Sequence, residues 1–390
     1  MERDAVIVSA VRTAIGRQGG ALASVPAHVF GAEVIKAAIA RAGIDAAVID
    51  DIIMGNVLSG GGNIARLAAL ETGLGVELPG LTVDRQCGSG INAINLAAQA
   101  IWAGDGDIFV AGGLESMSRA PYLMEKPEKA YSPAPPKFRK SQLSPKEIGD
   151  PPMGITAENL AEQYGISREE QDQFALESQE RAAQAIKEGR FDEQIVPIHI
   201  PVRKGEPIEF KEDEHPRPQT TQQALAKLPP AFLENGTVTA GSSSGLNDAA
   251  SAAVIMSREK AEELGLNVLG VIRAQAVAGV DPNIMGIGPV PATQKALKKA
   301  GLTLADIDVI EINEAFASQV LACDKELKMD LDKVNINGGA IALGHPLGAT
   351  GAILLTKAVY ELQHSGGRYA LITACIGGGQ GIATIIEREG

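Results

Sequence analysis

The chain has 390 residues, a formal net charge of −13, 45% hydrophobic residues and 21% charged residues. This length exceeds what one hydrophobic core usually serves, so two or more packed units are expected. The negative charge disfavours nucleic acid or an anionic membrane as a general partner, because no basic face dominates the chain.

The cysteines and histidines indicate the cellular compartment and whether a metal site is expected. The chain contains three cysteines and five scattered histidines. An odd cysteine count, in a sequence whose first residues lack the features of a signal peptide, favours a reducing compartment, and we expect a cytoplasmic protein. No Cys or His lies at zinc-ligand spacing from another, so no metal site is expected. No apolar run is long enough to span a membrane.

The first part of the chain predicts alternating helices and strands. Helices are expected over 32–42 and 91–103, and strands over 51–54, 81–83 and 108–111. The helix over 91–103 carries few charges on any side, which predicts burial between two layers. Alternation of this kind indicates an α/β unit with a mixed or mostly parallel sheet.

The middle of the chain has a different composition. Residues 119–220 hold most of the prolines and charge clusters, around an amphipathic helix over 168–188. Clustered breakers of this kind are typical of irregular segments, so we interpret this region as an inserted lid. A strand over 248–256 then completes the first unit.

The last part of the chain repeats the first at an offset of 258 residues. Cys87 falls on His345 and Gly90 on Gly348, while residues 41–44 fall on 299–302. The second copy predicts helices over 293–300 and 349–362 and strands over 309–312, 334–337 and 369–373. A register held over so many residues indicates a duplicated α/β unit.

Cys87 is the first candidate for chemistry. It follows the strand over 81–83 and begins a buried helix through Gly88-Ser89-Gly90. The free amide hydrogens and positive dipole at a helix N-terminus favour a thiolate and can stabilise an oxyanion. A small buried cysteine that serves only for packing explains the position equally well.

His345 occupies the position equivalent to Cys87 in the second copy. If a pseudo-twofold axis relates the copies, residues at equivalent helix starts can face each other across one cleft. That is the arrangement of a nucleophilic Cys with a His base. A histidine that only caps a glycine-rich turn would not explain this placement.

Two further side chains follow predicted strands. Cys375 closes the strand over 369–373 and precedes Gly377-Gly378-Gly379, where backbone can approach a ligand and bind an anion. Asn313 follows the strand over 309–312, a usual place for site residues, where it shapes the turn, holds a water or donates to a developing charge. Cys323 lies within a helix among apolar residues and is interpreted as packing.

Together these segments resemble the thiolase family over essentially the whole chain. The matching motifs are Cys87-Gly88-Ser89-Gly90, Gly113-Leu114-Glu115-Ser116-Met117-Ser118, Thr239-Ala240-Gly241, Gly245-Leu246-Asn247-Asp248, Asn313-Glu314-Ala315-Phe316, the run 338–346 and Cys375-Ile376-Gly377-Gly378-Gly379. The resemblance implies a duplicated αβαβα five-layer fold with an inserted loop domain. It implies domains over 1–118 with 246–265, over 119–245 for coenzyme A binding, and over 266–390.

The resemblance also implies a role for each candidate. Cys87 would carry the acyl group, His345 would activate it, and Cys375 would exchange the α-proton of acetyl-CoA. His345 with a water held by Asn313 would form one oxyanion hole, and the amides of Cys87 and Gly377 the other. A Claisen condensation needs such a carrier, a base and two oxyanion sites.

The resemblance places coenzyme A thioesters as substrates, with no cofactor. The residues that it assigns to coenzyme A or its acyl chain are Met153, Arg217, Phe232, Ala240, Ser244, Met285 and Phe316. It implies a homodimer or a homotetramer.

The function expected is that of an acetyl-CoA C-acetyltransferase, which condenses two acetyl-CoA to acetoacetyl-CoA and CoA. The alternative is a degradative 3-ketoacyl-CoA thiolase of fatty-acid β-oxidation. Met285 resembles the former group, whereas Pro152 before Met153 resembles the latter. A ketoacyl-ACP synthase is disfavoured because it lacks the Cys375 base. An inactive CoA- or lipid-binding subunit is disfavoured because Cys87, His345 and Cys375 are all present.

Overall fold

The computed structural model describes residues 3–127, 129, 131 and 135–389. Its first unit confirms every helix and strand predicted there, with ends shifted by a few residues. The elements are β1 (Ala5–Thr13), β2 (Gly16–Arg17), α1 (Ala27–Ala42), β3 (Asp51–Gly55), α2 (Ile64–Glu71), β4 (Leu81–Val83), α3 (Ser89–Ala103) and β5 (Ile108–Ser116).

The inserted segment contains three helices and three short strands joined by long irregular stretches, and a buried ion pair ties it to the first unit. Its elements are α4 (Met153–Tyr164), α5 (Arg168–Lys187), β6 (Ile195–Val196), β7 (Ile198–Ile200), β8 (Ile208–Phe210) and α6 (Gln222–Ala226). Helix α5 begins with a capping box between Ser167 and Glu170, which satisfies amides of its first turn. Arg12 of β1 pairs with Asp213 at 2.8 Å, and both side chains are buried. The removal of either partner would leave an unpaired buried charge, so this pair fixes how the insertion sits.

The remaining elements complete the first unit and form the second. They are β9 (Asn247–Ser257), α7 (Arg258–Glu263), β10 (Gly270–Gly279), α8 (Pro289–Ala300), β11 (Val309–Ile312), α9 (Ala317–Leu327), α10 (Ala340–Leu343), α11 (Leu347–Ser365), β12 (Tyr369–Ile376) and β13 (Gln380–Glu387). The repeat extends to helix ends: α1 and α8 stop at Gly43 and Gly301, which lie 258 residues apart and have φ of 69° and 68°. Glycine adopts this left-handed conformation without steric cost.

The strand predicted over 334–337 is wrong. Only an isolated bridge between Ile310 and Val334 forms there. The side chain of Asn335 accepts from Ile312 N and donates to Ile312 O, at 3.0 and 2.9 Å. Because this side chain takes the place of a neighbouring strand, the backbone turns away toward the helix start of α11.

The two units build one sheet with the same strand arrangement on either side. Its order is β11-β12-β13-β10-β1-β9-β5-β3-β4. In the first unit β4, β3 and β5 are parallel while β9 and β1 are antiparallel neighbours. In the second, β11 and β12 are parallel while β13 and β10 are antiparallel neighbours. The prediction of a mixed sheet is confirmed.

Three apolar clusters define the layers. The first half-sheet is formed by β1, β9, β5, β3 and β4, and the second by β10, β13, β12 and β11. Helices α1 and α2 cover one side of the first half-sheet, and α8 and α9 cover the far side of the second. Helices α3 and α11 lie between the two half-sheets in the central cluster. The arrangement is therefore helix, sheet, helix, sheet, helix, and the predicted burial of the helix over 91–103 is confirmed. Among helices in the described ranges, none is long and apolar enough to cross a membrane.

Candidate functional site

The starts of α3 and α11 touch through glycine. A Cβ placed on Gly90 would lie 2.8 Å from Ala352 N and 3.0 Å from Gly348 O. These distances leave no room for any side chain, so the two backbones approach as closely as van der Waals radii allow. Cys87 and His345 each lie three residues before the paired glycines Gly90 and Gly348. The structure therefore brings the two helix starts together, as the repeat predicted.

Cys87 sits on a strained turn between β4 and α3. The preceding residue, Gln86, has φ of 46°, which is uncommon for a residue with a side chain. The carboxylate of Asp84 accepts from Gln86 N at 2.7 Å and holds this conformation. Gly88 then packs against Ile376, where an added Cβ would lie 2.6 Å from Cδ1. The turn thus presents Cys87 to the segment that follows β12.

Burial decides the ionisation of Cys87. The backbone N–H groups of Gly377 and of Cys87 itself act on the thiol to lower its pKa, but desolvation outweighs them and raises the pKa to about 11. The negative charges of Glu115 and Asp84 raise it further. The pKa of this thiol is therefore raised, whereas the helix start alone was expected to lower it. The two amides that act on the sulfur are donors of the kind that an oxyanion site requires.

His345 is a buried, neutral base. Burial lowers its pKa to about 4, so the imidazole carries no charge near neutral pH. Its Nδ1 lies 2.7 Å from Thr350 Oγ1 and its Nε2 lies 3.3 Å from Asn313 Nδ2. Its backbone N–H donates to Asn247 Oδ1 at 2.9 Å. The ring is thus oriented by contacts on two sides and by its own backbone.

Asn313 is held by β12 and is only partly satisfied. Its backbone N–H donates to Thr373 O at 2.9 Å, which continues the pairing of β11 with β12. The side chain is fully buried, and its Oδ1 has no hydrogen-bond partner. A buried acceptor of this kind usually receives a hydrogen bond from an ordered water or a ligand.

Cys375 lies in β12 beside Cys87 and is fully buried. Burial, with a contribution from the nearby Cys87 charge, raises the pKa of the Cys375 thiol well above its usual value. Cys323 lies elsewhere, in the cluster under α9, and its thiol donates to Gly286 O at 3.3 Å.

The side chains around Cys375 form an apolar wall. Met153, Met285 and Phe316 pack in one cluster with Cys375, and Met285 is only 2% exposed. Phe232 meets Phe316 edge-on, with ring centroids 5.8 Å apart, and its ring also covers Gly154. Four of the residues predicted for coenzyme A or its acyl chain are therefore brought together with the second thiol.

The remaining predicted residues lie on loops outside this cluster. Ser244 N donates to Ala315 O at 3.0 Å, so its loop runs against the segment before Phe316. Ala240 is exposed on the same loop. Arg217 is exposed, and its backbone N–H donates to Gln179 Oε1 at 2.8 Å.

Some residues near the site were not predicted. A Cβ on Gly377 would lie 2.9 Å from Leu143 Cδ1, so Leu143 of the insertion covers the glycine turn. Glu115 accepts from Gly348 N at 3.0 Å and from the amides of Val57 and Leu58. Glu115 and Asn247 lie in recognisable motifs, whereas nothing in the sequence around Leu143 marks it.

The described residues contain no group of three or more His, Cys, Asp or Glu side chains placed to hold a metal ion. The candidate site itself offers two thiols, one imidazole and backbone amides. Such a set can form a thioester on one sulfur and move a proton with the other.

The raised pKa of Cys87 predicts a steep pH dependence of its alkylation. Iodoacetamide reacts with the thiolate, so with a pKa of about 11 the rate at Cys87 should rise about tenfold per pH unit between roughly pH 7 and 9. Peptide mass spectrometry at each pH measures this rate, with free glutathione as the reagent control. A rate that stays flat over that range would contradict the raised pKa.

The chain matches two family models, the thiolase N-terminal domain over residues 5–259 and the thiolase C-terminal domain over residues 266–388. It is 50% identical to an acetyl-CoA acetyltransferase of Pseudomonas aeruginosa, covering 99% of this chain and 100% of the relative. The crystal structure of the Bacillus anthracis acetyl-CoA acetyltransferase superposes with a TM-score of 0.95 at 44% identity, covering 100% of this chain and 99% of the other. Human mitochondrial 3-ketoacyl-CoA thiolase in complex with CoA superposes with a TM-score of 0.93 at 42% identity, covering 100% and 98%. With both halves matched and the five-layer arrangement shared, this chain belongs to the thiolase family.

Proposed function

We propose that the protein is an acetyl-CoA C-acetyltransferase that condenses two acetyl-CoA to acetoacetyl-CoA and CoA through an acyl group on Cys87. The convergence of two amides on the Cys87 thiol, with a second thiol beside it, carries this proposal. A relative with this name is half identical over its full length.

The first half-reaction uses the Cys87 and His345 pair. His345 takes the thiol proton, the Cys87 sulfur attacks the thioester carbon, and CoA leaves as its sulfur accepts that proton from His345. The amides of Cys87 and Gly377 would bind the oxygen of the tetrahedral intermediate, where negative charge develops. Because the imidazole is neutral near pH 7, it is available as a base.

The second half-reaction uses Cys375. Cys375 gives its proton to His345, and its thiolate removes an α-proton from a second acetyl-CoA. The resulting carbon attacks the acyl carbon on Cys87, and the released Cys87 sulfur takes the proton from His345. His345 and a water on Asn313 would bind the enolate oxygen. The unpaired Asn313 Oδ1 supports this role, because the proposed water would donate a hydrogen bond to it.

Coenzyme A is proposed to lie along the insertion and its neighbouring loop. Met153, Phe232 and Phe316 form the apolar part of this path, Ala240 and Ser244 lie on the adjoining loop, and Arg217 is an exposed cation at its outer part.

The proposed domains are residues 1–118 with 246–265, residues 119–245 and residues 266–390. No cofactor is required by this chemistry, and cytoplasmic location stays a prediction.

The second candidate function is that of a degradative 3-ketoacyl-CoA thiolase. Pro152, at the N-terminus of α4, resembles the degradative enzymes, and one such enzyme shares this fold closely. Met285, however, is buried against Cys375, whereas Pro152 is exposed. We favour the short-chain function because Met285 is the nearer of the two to the reacting groups.

The two half-reactions should separate by mutation. Acetyl-CoA should label Cys87 in the wild type and in Cys375→Ala, since the thioester does not require the second thiol. Exchange of the α-protons of acetyl-CoA with deuterium should nearly stop in Cys375→Ala. Peptide mass spectrometry measures the first property and NMR of recovered acetyl-CoA the second.

Cys323→Ala is the matched control, because Cys323 is buried but lies in another cluster. It should retain both labelling and exchange. An acetyl group found only away from Cys87, or exchange that persists without Cys375, would assign the chemistry to other residues.

Met285 should limit acyl length. Acetoacetyl-CoA should be cleaved with higher kcat/KM than 3-ketohexanoyl-CoA by the wild type. Met285→Ala should raise kcat/KM for the longer substrate by about tenfold, because its extra methylenes can then be buried at about 0.8 kcal/mol each. Met329→Ala, a buried methionine in another cluster, is the control. A wild-type efficiency that rises steadily with chain length would instead favour the degradative function.

We further propose that two copies associate through β4. This strand lies at the end of the sheet order, and Leu81 on it is 43% exposed. Exposed apolar side chains continue along α2 and the loop before β4, namely Leu67, Leu70, Leu74 and Val76. An edge strand with an apolar border is a ready pairing surface, and a second copy offers a self-complementary one. Association here would support the turn that carries Cys87.

The double variant Leu74→Lys with Leu81→Lys should therefore dissociate the assembly. Analytical ultracentrifugation should find a dimer or tetramer for the wild type and smaller species for the variant, because two charges would be buried at the contact. Leu264→Lys, at an exposed leucine after α7, is the control. A double variant that keeps the wild-type mass would exclude β4 as the contact.

A further inference from the structure

The ring of His345 has a hydrogen-bond partner at each nitrogen. Thr350 Oγ1 lies 2.7 Å from Nδ1, and Asn313 Nδ2 lies 3.3 Å from Nε2. All three side chains are at most 5% exposed. A neutral imidazole carries one proton, and in a buried site its partners decide which nitrogen holds it.

Thr350 has a second partner that restricts its hydroxyl. Its Oγ1 lies 3.0 Å from the carbonyl of Pro346, one turn earlier at the start of α11. When the hydroxyl donates to this carbonyl, its oxygen is left to accept, and Nδ1 must be the donor. The Asn313 amide then donates to the lone pair of Nε2. Three hydrogen bonds form, and only an acceptor, Asn313 Oδ1, stays unpaired.

The opposite tautomer forms fewer hydrogen bonds, although the Pro346 carbonyl also accepts from the backbone N–H groups of Ala349 and Thr350. With the proton on Nε2, the Thr350 hydroxyl must donate to Nδ1 and give up the Pro346 carbonyl. Asn313 must turn its carbonyl toward Nε2, which leaves a buried NH₂ group with no acceptor. This arrangement has two hydrogen bonds in place of three, and unpaired buried donors are costly.

We propose that Thr350 is a positioning residue that holds the proton on Nδ1 of His345 and makes Nε2, which accepts from Asn313 in the resting site, the basic nitrogen. The inference rests on the proposed function in one respect, namely that His345 is the base for Cys87. A serine at this position keeps the hydroxyl, whereas valine keeps the shape and loses the acceptor.

Imidazole NMR tests the tautomer without catalysis. The full-length protein labelled with ¹⁵N-histidine has five histidines, and His345→Asn identifies the signal of His345. The wild type and Thr350→Ser should show the proton on Nδ1, and Thr350→Val should show it on Nε2. A wild-type proton on Nε2, or an unchanged tautomer in Thr350→Val, would overturn the proposal.

Steady-state kinetics then tests whether the tautomer of His345 affects catalysis. Thr350→Val should lower kcat roughly 10- to 100-fold with KM for acetyl-CoA changed by no more than about twofold, the pattern of a lost base rather than lost binding. Thr350→Ser should stay within about threefold of the wild type. A changed tautomer with unaltered kcat would keep the assignment of Thr350 and remove His345 as the base, so the two failures are distinguishable.

A matched control exists on the same helix. Thr356 is fully buried in α11, and its Oγ1 donates to Ala352 O at 2.9 Å, the same kind of bond that Thr350 makes. Thr356→Val should leave the His345 tautomer and kcat as in the wild type. An equal fall in kcat for both valine variants, with the His345 tautomer unchanged, would reduce the effect of Thr350 to helix packing and overturn its positioning role.

Discussion

The contact between the starts of α3 and α11 is the constraint on which the rest of the structure depends. Gly90 and Gly348 bring the two backbones together, and a Cβ on Gly113 of β5 would lie 1.9 Å from Gly348 O. Core packing at this density tolerates no added atom without backbone movement. Since Cys87 and His345 lie at fixed distances along the chain from these glycines, the helix contact sets how the two approach each other.

Buried polar groups fix the same region from the outside. Glu115 receives the amide of Gly348 from one unit and those of Val57 and Leu58 from the other, and Asn247 receives the amide of His345. Each group has lost water, so each must find protein partners, and few arrangements satisfy them all. The motifs around Glu115 and Asn247 are thus explained by positioning: their side chains hold the helix start that carries the imidazole.

The sequence predicted most of the fold because the repeat and the helix periodicity are local signals. The placement of Cys87 and His345 at equivalent helix starts followed from the same register. Asn335 shows where such reasoning fails, since a side chain that replaces a strand leaves no pattern of its own. Leu143 is a similar case, because its contact with Gly377 joins an irregular segment to a distant turn. The pKa of the Cys87 thiol was mispredicted for another reason. The helix dipole and the amides can be read from the sequence, but the amount of desolvation that opposes them cannot.

The neutral resting state has a consequence for how the site stabilises charge. Cys375 and His345 are buried and Cys87 is partly exposed, and the pKa shifts of all three favour their uncharged forms, so no thiolate charge occupies the amides of Cys87 and Gly377 in the resting site. Those amides and the free acceptor on Asn313 are fixed by backbone and helix contacts before a substrate arrives. Interactions that are realised only when charge develops lower the barrier, whereas equal binding of substrate does not. In the proposed reaction, the desolvation that raises the pKa of the Cys87 thiol therefore keeps these amides available for the oxyanion that the thioester carbonyl becomes.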